Sequence, residues 1–514
     1  MKQELSKMTL DQKLGQLIVT GFPAGEVNDA FRELVEEYSV GNVILFRYNQ
    51  FSYPQLKGLC RTLTEWISDK TGIPPFITSD EEGGIVSRLP EDMGKMPSAM
   101  GQAALGDEMR VRRAAFLTGE ELRDVGINFN LAPVLDINSN SANPVIGVRS
   151  YGTDSAGVSR FALAALAGYE QAGVITTGKH FPGHGDTETD SHLALPVIRK
   201  SLEALEEAEL IPFRKAIAAG VPAITIAHIL FPALEPGNVP GTMSRNIITG
   251  LLREKLGFRG LAISDCMEMN AIKETVGVAK GTVEAVKAGM DLIFISRTPG
   301  EVKAALAALH AAVETGELPM ARVDEAVGRI LACKKKYLLP FPGLTEQQQS
   351  EIRIFADSFG SDVIRHSCVG GNVPFVLGSR PFFLAPDAVR PSGAANQQDD
   401  VCNFAASMQQ RFGGEYRRIL QDPAPEQTEP LCALARQSTS VVLGTVNGNM
   451  HPGQMALAQR LAACGVPFAL VALRNPFELE QRPAGCFGCA LYEYAPARVK
   501  QAFALFAKAP GRHS

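Results

Sequence analysis

The chain has few of the features that mark a specialised protein. Of its 514 residues only one is Trp, 7% are aromatic and 20% are charged. No basic run stands out, and its formal charge is -5, which argues against a nucleic-acid partner. Nothing in it resembles a membrane span. The opening MKQELSKMTLDQKLGQ is polar and helical, without the apolar core that a secretory signal needs. The nine cysteines are odd in number and scattered, which argues against a disulfide framework. The one close pair, Cys486 and Cys489, lies in AGCFGCALYEY with no partners in sight for zinc or redox work, so both read as free buried thiols. The expected compartment is the reducing cytoplasm. No internal repeat is found.

What remains is an ordinary globular composition, 45% hydrophobic, in a chain too long for one core. Short β-rich runs recur through the first two thirds: QLIVTGF at 16–22, NVILF at 42–46, PFITSDEE at 75–82, NFNLAPVLDI at 128–137, GVITTGKHF at 173–181, AITIAHI at 223–229, LAISDCMEM at 261–269 and DLIFIS at 291–296. Amphipathic stretches long enough for a helix separate them. Eight strand–helix units in this length match a (β/α)8 barrel, whereas a doubly wound open sheet does not call for eight. Asp80, Asp136, the Lys179–His180 pair, His228 and Asp265 all fall at the C-terminal ends of these runs. In a barrel those ends form one face, where active sites are built. Any single one of these residues can instead cap the following helix, Asp136 above all. Five such strand ends together favour an enzyme.

The expected fold is thus an N-terminal (β/α)8 barrel over 1–340, a Pro/Gln-rich linker at 341–350, and a smaller C-terminal α/β sandwich domain over 351–514. Residues 385–430, rich in Pro, Gln, Asn and Asp, read as a long loop or partly ordered insertion.

The densest chemistry lies in KHFPGHGDTETDSH, from Lys179. His180, His184, Asp186, Asp190 and His192 could hold a metal, but glycines and a proline place them on an irregular loop without a helical HxxxH spacing. Proton transfer fits better. In Asp190-Ser-His192 the carboxylate can accept from one ring nitrogen and raise the basicity of the other. Asp265, at the end of the seventh run, offers the facing carboxylate that double displacement at a sugar carbon needs.

These residues carry a resemblance. KHFPGHGDTETDSH, SDCMEM, SDEEGG and NPVIGVRSYG are similar to the signatures of the β-N-acetylhexosaminidases of glycoside hydrolase family 3. MTLDQKLGQL and the RNPFEL segment resemble that family's opening helix and second domain. The DSH element separates this branch from the family's β-glucosidases, which take their acid/base from the second domain. The resemblance implies Asp265 as nucleophile, His192 as acid/base and Asp190 as its orienting partner. It implies Asp80, Arg88, Arg149, Lys179 and His180 as the groups that grip the hydroxyls of N-acetylglucosamine. His184 then braces the loop, and His228 either lines the pocket or sits in the barrel wall. Where the family often has Arg after the paired glycines, this chain has Ile85.

The expectation is a cytoplasmic, retaining exo-β-N-acetylglucosaminidase that needs no metal or other cofactor and acts on GlcNAc-containing muropeptides or disaccharides. Its second domain supplies no residue that this chemistry requires. Three rivals stand beside it: a β-N-acetylglucosaminide phosphorylase on the same fold, since a neutral imidazole does not repel phosphate, a non-catalytic sugar-binding protein, and a metal-dependent hydrolase.

Overall fold

The computed structural model describes residues 5–187, 195–388 and 402–508. Eight short parallel strands fall inside the eight expected runs. They are β1 Ile18–Val19, β2 Asn42–Leu45, β3 Phe76–Ser79, β4 Phe129–Asn130, β5 Ile175–Phe181, β6 Ala223–Ile226, β7 Leu261–Cys266 and β8 Leu292–Phe294. Strands β2 to β8 pair in sequence order, β1 pairs with β8, and a parallel bridge between Thr20 and Val43 closes the ring. Apart from the last two residues of β7 the strands are buried throughout, covered by the barrel interior on one face and by helices on the other.

The runs exceed the strands for local reasons. Gln16 and Leu17 complete the helix Leu10–Leu17, which opens on a capping box between Thr9 and Gln12. In NFNLAPVLDI the chain leaves the regular ladder at Leu131. It returns beside β5 where the Leu135 N–H donates to the Lys179 carbonyl at 2.6 Å. Helices Glu108–Val125 and Ser155–Ala172, after β3 and β4, show how the sequence sets their ends. The Asp107 and Asp154 side chains accept from first-turn N–H groups, and Gly126 (φ 96°) and Gly173 (φ 76°) stop each helix in the left-handed region.

The second domain begins with the helix Glu346–His366, so half of the stretch expected as linker is helical. We place the domain boundary between this helix and the barrel's last one, Met320–Tyr337. The later strands are β9 Phe375–Leu377, β10 Pro381–Ala385, β11 Glu415–Arg418, β12 Ser440–Thr445, β13 Phe468–Ala472, β14 Phe487–Ala490 and β15 Phe506–Lys508. Five of them form a parallel sheet in the order β11–β10–β12–β13–β14, and β9 pairs with β15. Successive residues along β10 and β12 enter two different cores. Phe382, Leu384, Val441 and Leu443 face one, and Phe383, Ala385 and Val442 face the other, which gives the α/β sandwich. Residues 385–430 depart from the expected loop: they contain the helix Phe404–Phe412, β11 and the start of the helix Pro425–Gln437, and 389–401 lie outside the described residues.

The first of these cores is shared between the domains. Ile85, Val86, Met96, Met100 and Val148, from the segments that follow β3 and β4, join Phe359, Val363 and Tyr492 in it. Ile85 is 3% exposed there. An arginine at that position would have to bury its charge in an apolar interface. Among the described residues no helix is long and apolar enough to cross a membrane.

Candidate active site

The C-terminal ends of the barrel strands surround a cavity of about 480 Å³. Asp80, Glu82, Arg88, Arg149, Lys179 and His180 line it from the β3–β5 side, and Asp265 lines it from β7.

The β3–β5 wall is a lattice of buried charge. Arg149 donates from Nε and Nη2 to the two oxygens of Glu82, both at 2.8 Å. Lys179 Nζ reaches Glu82 at 2.6 Å and Asp80 at 3.0 Å, and Arg88 stands 3.7 Å from Asp80. Burial works to raise the pKa of Glu82, but the Arg149 and Lys179 charges outweigh it and hold the carboxyl well below the usual range. Burial likewise works to lower the pKa of Lys179, and the Glu82 and Asp80 charges overcome it, so the ammonium is kept. Glu82, Arg149 and Lys179 are therefore held in their charged forms by one another.

Asp136 anchors the next layer. Its carboxylate accepts from the N–H of His180 at 3.1 Å, the N–H of His184 at 2.7 Å, and His180 Nδ1 at 2.6 Å. Burial opposes its charge, but His180 beside it holds its pKa below the ordinary value. His180 Nε2 faces Arg149 Nη2 at 3.4 Å. A guanidinium can only donate, which fits an imidazole carrying its proton on Nδ1. His184 shares Nδ1 with the Thr187 hydroxyl at 2.8 Å, and burial, with His180 close by, lowers its pKa to about 4. It is therefore a neutral brace that also borders the cavity.

Glu81 works behind this wall. One of its oxygens accepts from the Ser87 hydroxyl at 2.9 Å and from the N–H groups of Arg88 and Leu89 at 2.8 and 3.2 Å, which fixes the turn that presents Arg88. On the opposite wall Asp265 is half-buried, and its Oδ1 accepts from the Cys266 N–H at 2.8 Å. His228 sits in the barrel wall beside it, with Nε2 on the Cys266 carbonyl and Nδ1 on the Thr242 hydroxyl, each at 2.9 Å.

Six of the eight expected site residues thus converge: Asp80, Arg88, Arg149, Lys179, His180 and Asp265. Asp190 and His192 lie outside the described residues. Asp136 caps no helix; it binds the His180 segment. Arg88 is an ion-pair residue, but a buried one at 6% exposure. Glu81 and Glu82 were missed as site residues although they follow Asp80 directly. The signal was charge balance, since three cations bound for one buried wall need more than Asp80 opposite them. Among the described residues no group of three His, Cys, Asp or Glu side chains is arranged to hold a metal ion. Asp186 is instead paired with Lys200 at 2.9 Å.

A family model described as the glycosyl hydrolase family 3 N terminal domain matches residues 9–333. The chain is 33% identical over 369 residues to Beta-hexosaminidase A of Pseudoalteromonas piscicida, an alignment covering 64% of this chain and 61% of that protein. It is 35% identical over 280 residues to a Beta-hexosaminidase of Thiobacillus denitrificans, covering 53% of this chain and 76% of that one. A solved glycoside hydrolase family 3 beta-N-acetylglucosaminidase from Paenibacillus sp. str. FPU-7 superposes with a TM-score of 0.85 at 38% identity, covering 97% of this chain and 96% of that one. The chain spans less than two thirds of the length of the Pseudoalteromonas protein, 61%.

Proposed function

This chain belongs to glycosyl hydrolase family 3, and from that premise we propose that it is a retaining exo-β-N-acetylglucosaminidase that removes terminal N-acetylglucosamine from peptidoglycan fragments. The observation that carries the reading is Asp265, a half-buried carboxylate at the end of β7, lining the same cavity as the Asp80–Glu82–Arg149–Lys179–His180 lattice. Carboxylates accept from sugar hydroxyls in pairs, and Lys and Arg donate to hydroxyl and ring oxygens, so the β3–β5 wall suits a sugar ring. Relatives named for hexosaminidase activity support an N-acetylated sugar.

In the first step His192, charged, protonates the leaving oxygen while Asp265 attacks the anomeric carbon and the glycosidic bond breaks. In the second, neutral His192 takes a proton from water, whose oxygen displaces Asp265 and releases the sugar with its configuration retained. The roles of His192 and Asp190 rest on the Asp-Ser-His sequence and the family resemblance, as does the choice of peptidoglycan fragments. The reading is of a cytoplasmic enzyme, which fits nine cysteines that are all free.

The test is to present the full chain with an aryl N-acetylglucosaminide, chitobiose and GlcNAc–anhydroMurNAc, with and without phosphate, and to follow products by NMR. Free N-acetylglucosamine, released first as the β anomer, is expected, with the muramyl disaccharide cleaved fastest. Sugar 1-phosphate as the product would replace hydrolysis by phosphorolysis, and no turnover of any of the three would overturn the reading.

A further inference from the structure

We propose that the second domain is part of the sugar-binding apparatus: Asn449 and Asn475, on loops at the carboxyl end of its sheet, hold the barrel loop that carries Arg149. The inference rests on the reading of the cavity as an N-acetylglucosamine site.

Arg149 ends a long excursion that leaves β4 and crosses the top of the barrel before the helix Ser155–Ala172. On its inner side this loop is tied to the barrel, through Arg149 to Glu82 and through Asn143 Nδ2, which donates to the His184 carbonyl at 2.9 Å. Its outer side is covered by the second domain. Asn449 Nδ2 donates to the Ser141 carbonyl at 3.0 Å. Asn475, 1% exposed, lies so close to the loop that a Cβ added to Gly147 would stand 2.8 Å from its Oδ1. Gly147 has φ 47°, so the approach and the backbone conformation both call for glycine. Val148, next to Arg149, is fully buried in the core that the two domains share.

The placement of the two asparagines is informative. Asn449 follows β12 and Asn475 follows β13, at the carboxyl end of a parallel sheet. In open α/β sheets the loops at that end are the ones that usually bind a ligand. Here they turn onto the barrel and grip a loop of its active site. The RNPFEL segment, which contains Asn475, gains a role by this contact that the catalytic chemistry alone does not give it. Both residues act through Arg149, as positioning residues.

The experiment uses the full chain and an aryl N-acetylglucosaminide. Asn449→Ala/Asn475→Ala should raise KM about tenfold with kcat changed less than about threefold, because a loosened Arg149 weakens ground-state and transition-state binding alike. Tm should stay near that of the wild type. In an Arg149→Ala background the same two substitutions should add almost nothing, since the group they position is gone. An unchanged KM would overturn the inference, as would effects that multiply with those of Arg149→Ala. If the double variant unfolds, each single variant is run through the same cycle. Should the wild type fail to turn over the glycoside, the proposed function falls; calorimetric affinity for free N-acetylglucosamine in the same variants then decides the inference by the same criterion.

Discussion

Along the β3–β5 wall of the cavity every charge leans on another side chain, whereas along the β7–β8 wall the charges stand partly or wholly in solvent. Glu82 and Lys179 have side chains 3% and 5% exposed and are bonded to each other, to Arg149 and to Asp80. Across the cavity Asp265 and Glu268 are half-buried, Lys273 and Arg297 are exposed, and Arg297 rests 5.7 Å over the Phe46 ring. On the proposed reading the difference separates two tasks. A wall that recognises a fixed pattern of hydroxyls gains from groups locked by their neighbours, because no reorganisation is left for the moment of binding. A wall that carries a nucleophile and faces a leaving group needs a carboxylate whose charge is available to the substrate.

Breaking the reactive wall should cost most. Asp265→Ala is expected to lower kcat by roughly 10⁴-fold or more, since on the proposed reading Asp265 forms the covalent intermediate. A 2-fluoro sugar with a good leaving group should label Asp265 in the wild type, and a label found by mass spectrometry on Asp80 or Glu82 would reverse the assignment of the two walls. Next comes His192→Ala. A disaccharide, whose leaving alcohol must be protonated, should slow by about 10²- to 10⁴-fold. A dinitrophenyl glycoside should slow little in its first step, and azide should restore turnover as a β-glycosyl azide. Equal slowing of both substrates with no azide product would make His192 a binding residue.

The recognising wall should fail more gently in rate and more severely in stability. Glu82→Gln keeps the shape but leaves Arg149 and Lys179 buried without their shared anion. Removing one partner of a buried pair costs about 3–5 kcal/mol. A large fall in Tm is expected, with kcat/KM reduced by roughly 10- to 100-fold and most of that loss in KM. A variant with wild-type stability would show that water, not Glu82, balances these cations.

How far the sequence carried this picture depended on where each signal resided. Each strand of the barrel was legible as a short β-rich run set apart from the next by enough chain for a helix, and Asp80, Lys179, His180 and Asp265 were legible because they fall at run ends that converge in a barrel. Strand limits were not, since they depend on events outside the run: the helix that claims Gln16 and Leu17, or the irregular pairing of Val134 with Lys179. Glu82 stayed hidden because its partners, Arg149 and Lys179, lie 67 and 97 positions away and only the closed barrel brings them to it. Ile85 looked like a gap in a signature. Its reason lies in the second domain, whose docking surface no local pattern announces. Residues 404–418 read as a loop because polar composition outweighed a short helix and an edge strand, both of which take their stability from the sheet they cover.

The smallest effect concerns carboxyls behind the recognising wall, and it sharpens the contrast from the other side. Glu82 is ionised because cations face it. Glu121, buried on the helix Glu108–Val125, has the Gly94 N–H on one oxygen at 2.9 Å and Glu81 near enough to repel its charge. Burial, with that repulsion, raises its pKa to about 8. A group whose folded value lies above its unfolded one binds its proton more tightly in the native state. Its contribution to stability is complete below the unfolded value, near pH 4.3, and is lost as pH rises towards 8. Glu121→Gln removes that loss. The amide still leaves one polar atom without a partner, so the gain is partial, about 1–2 kcal/mol at pH 8.5 and within about 0.5 kcal/mol of zero at pH 5. Thermal denaturation of the two proteins at both pH values measures it. A Tm difference that is the same at pH 5 and pH 8.5 would mean that Glu121 is ionised throughout, and that burial does not keep this carboxyl neutral.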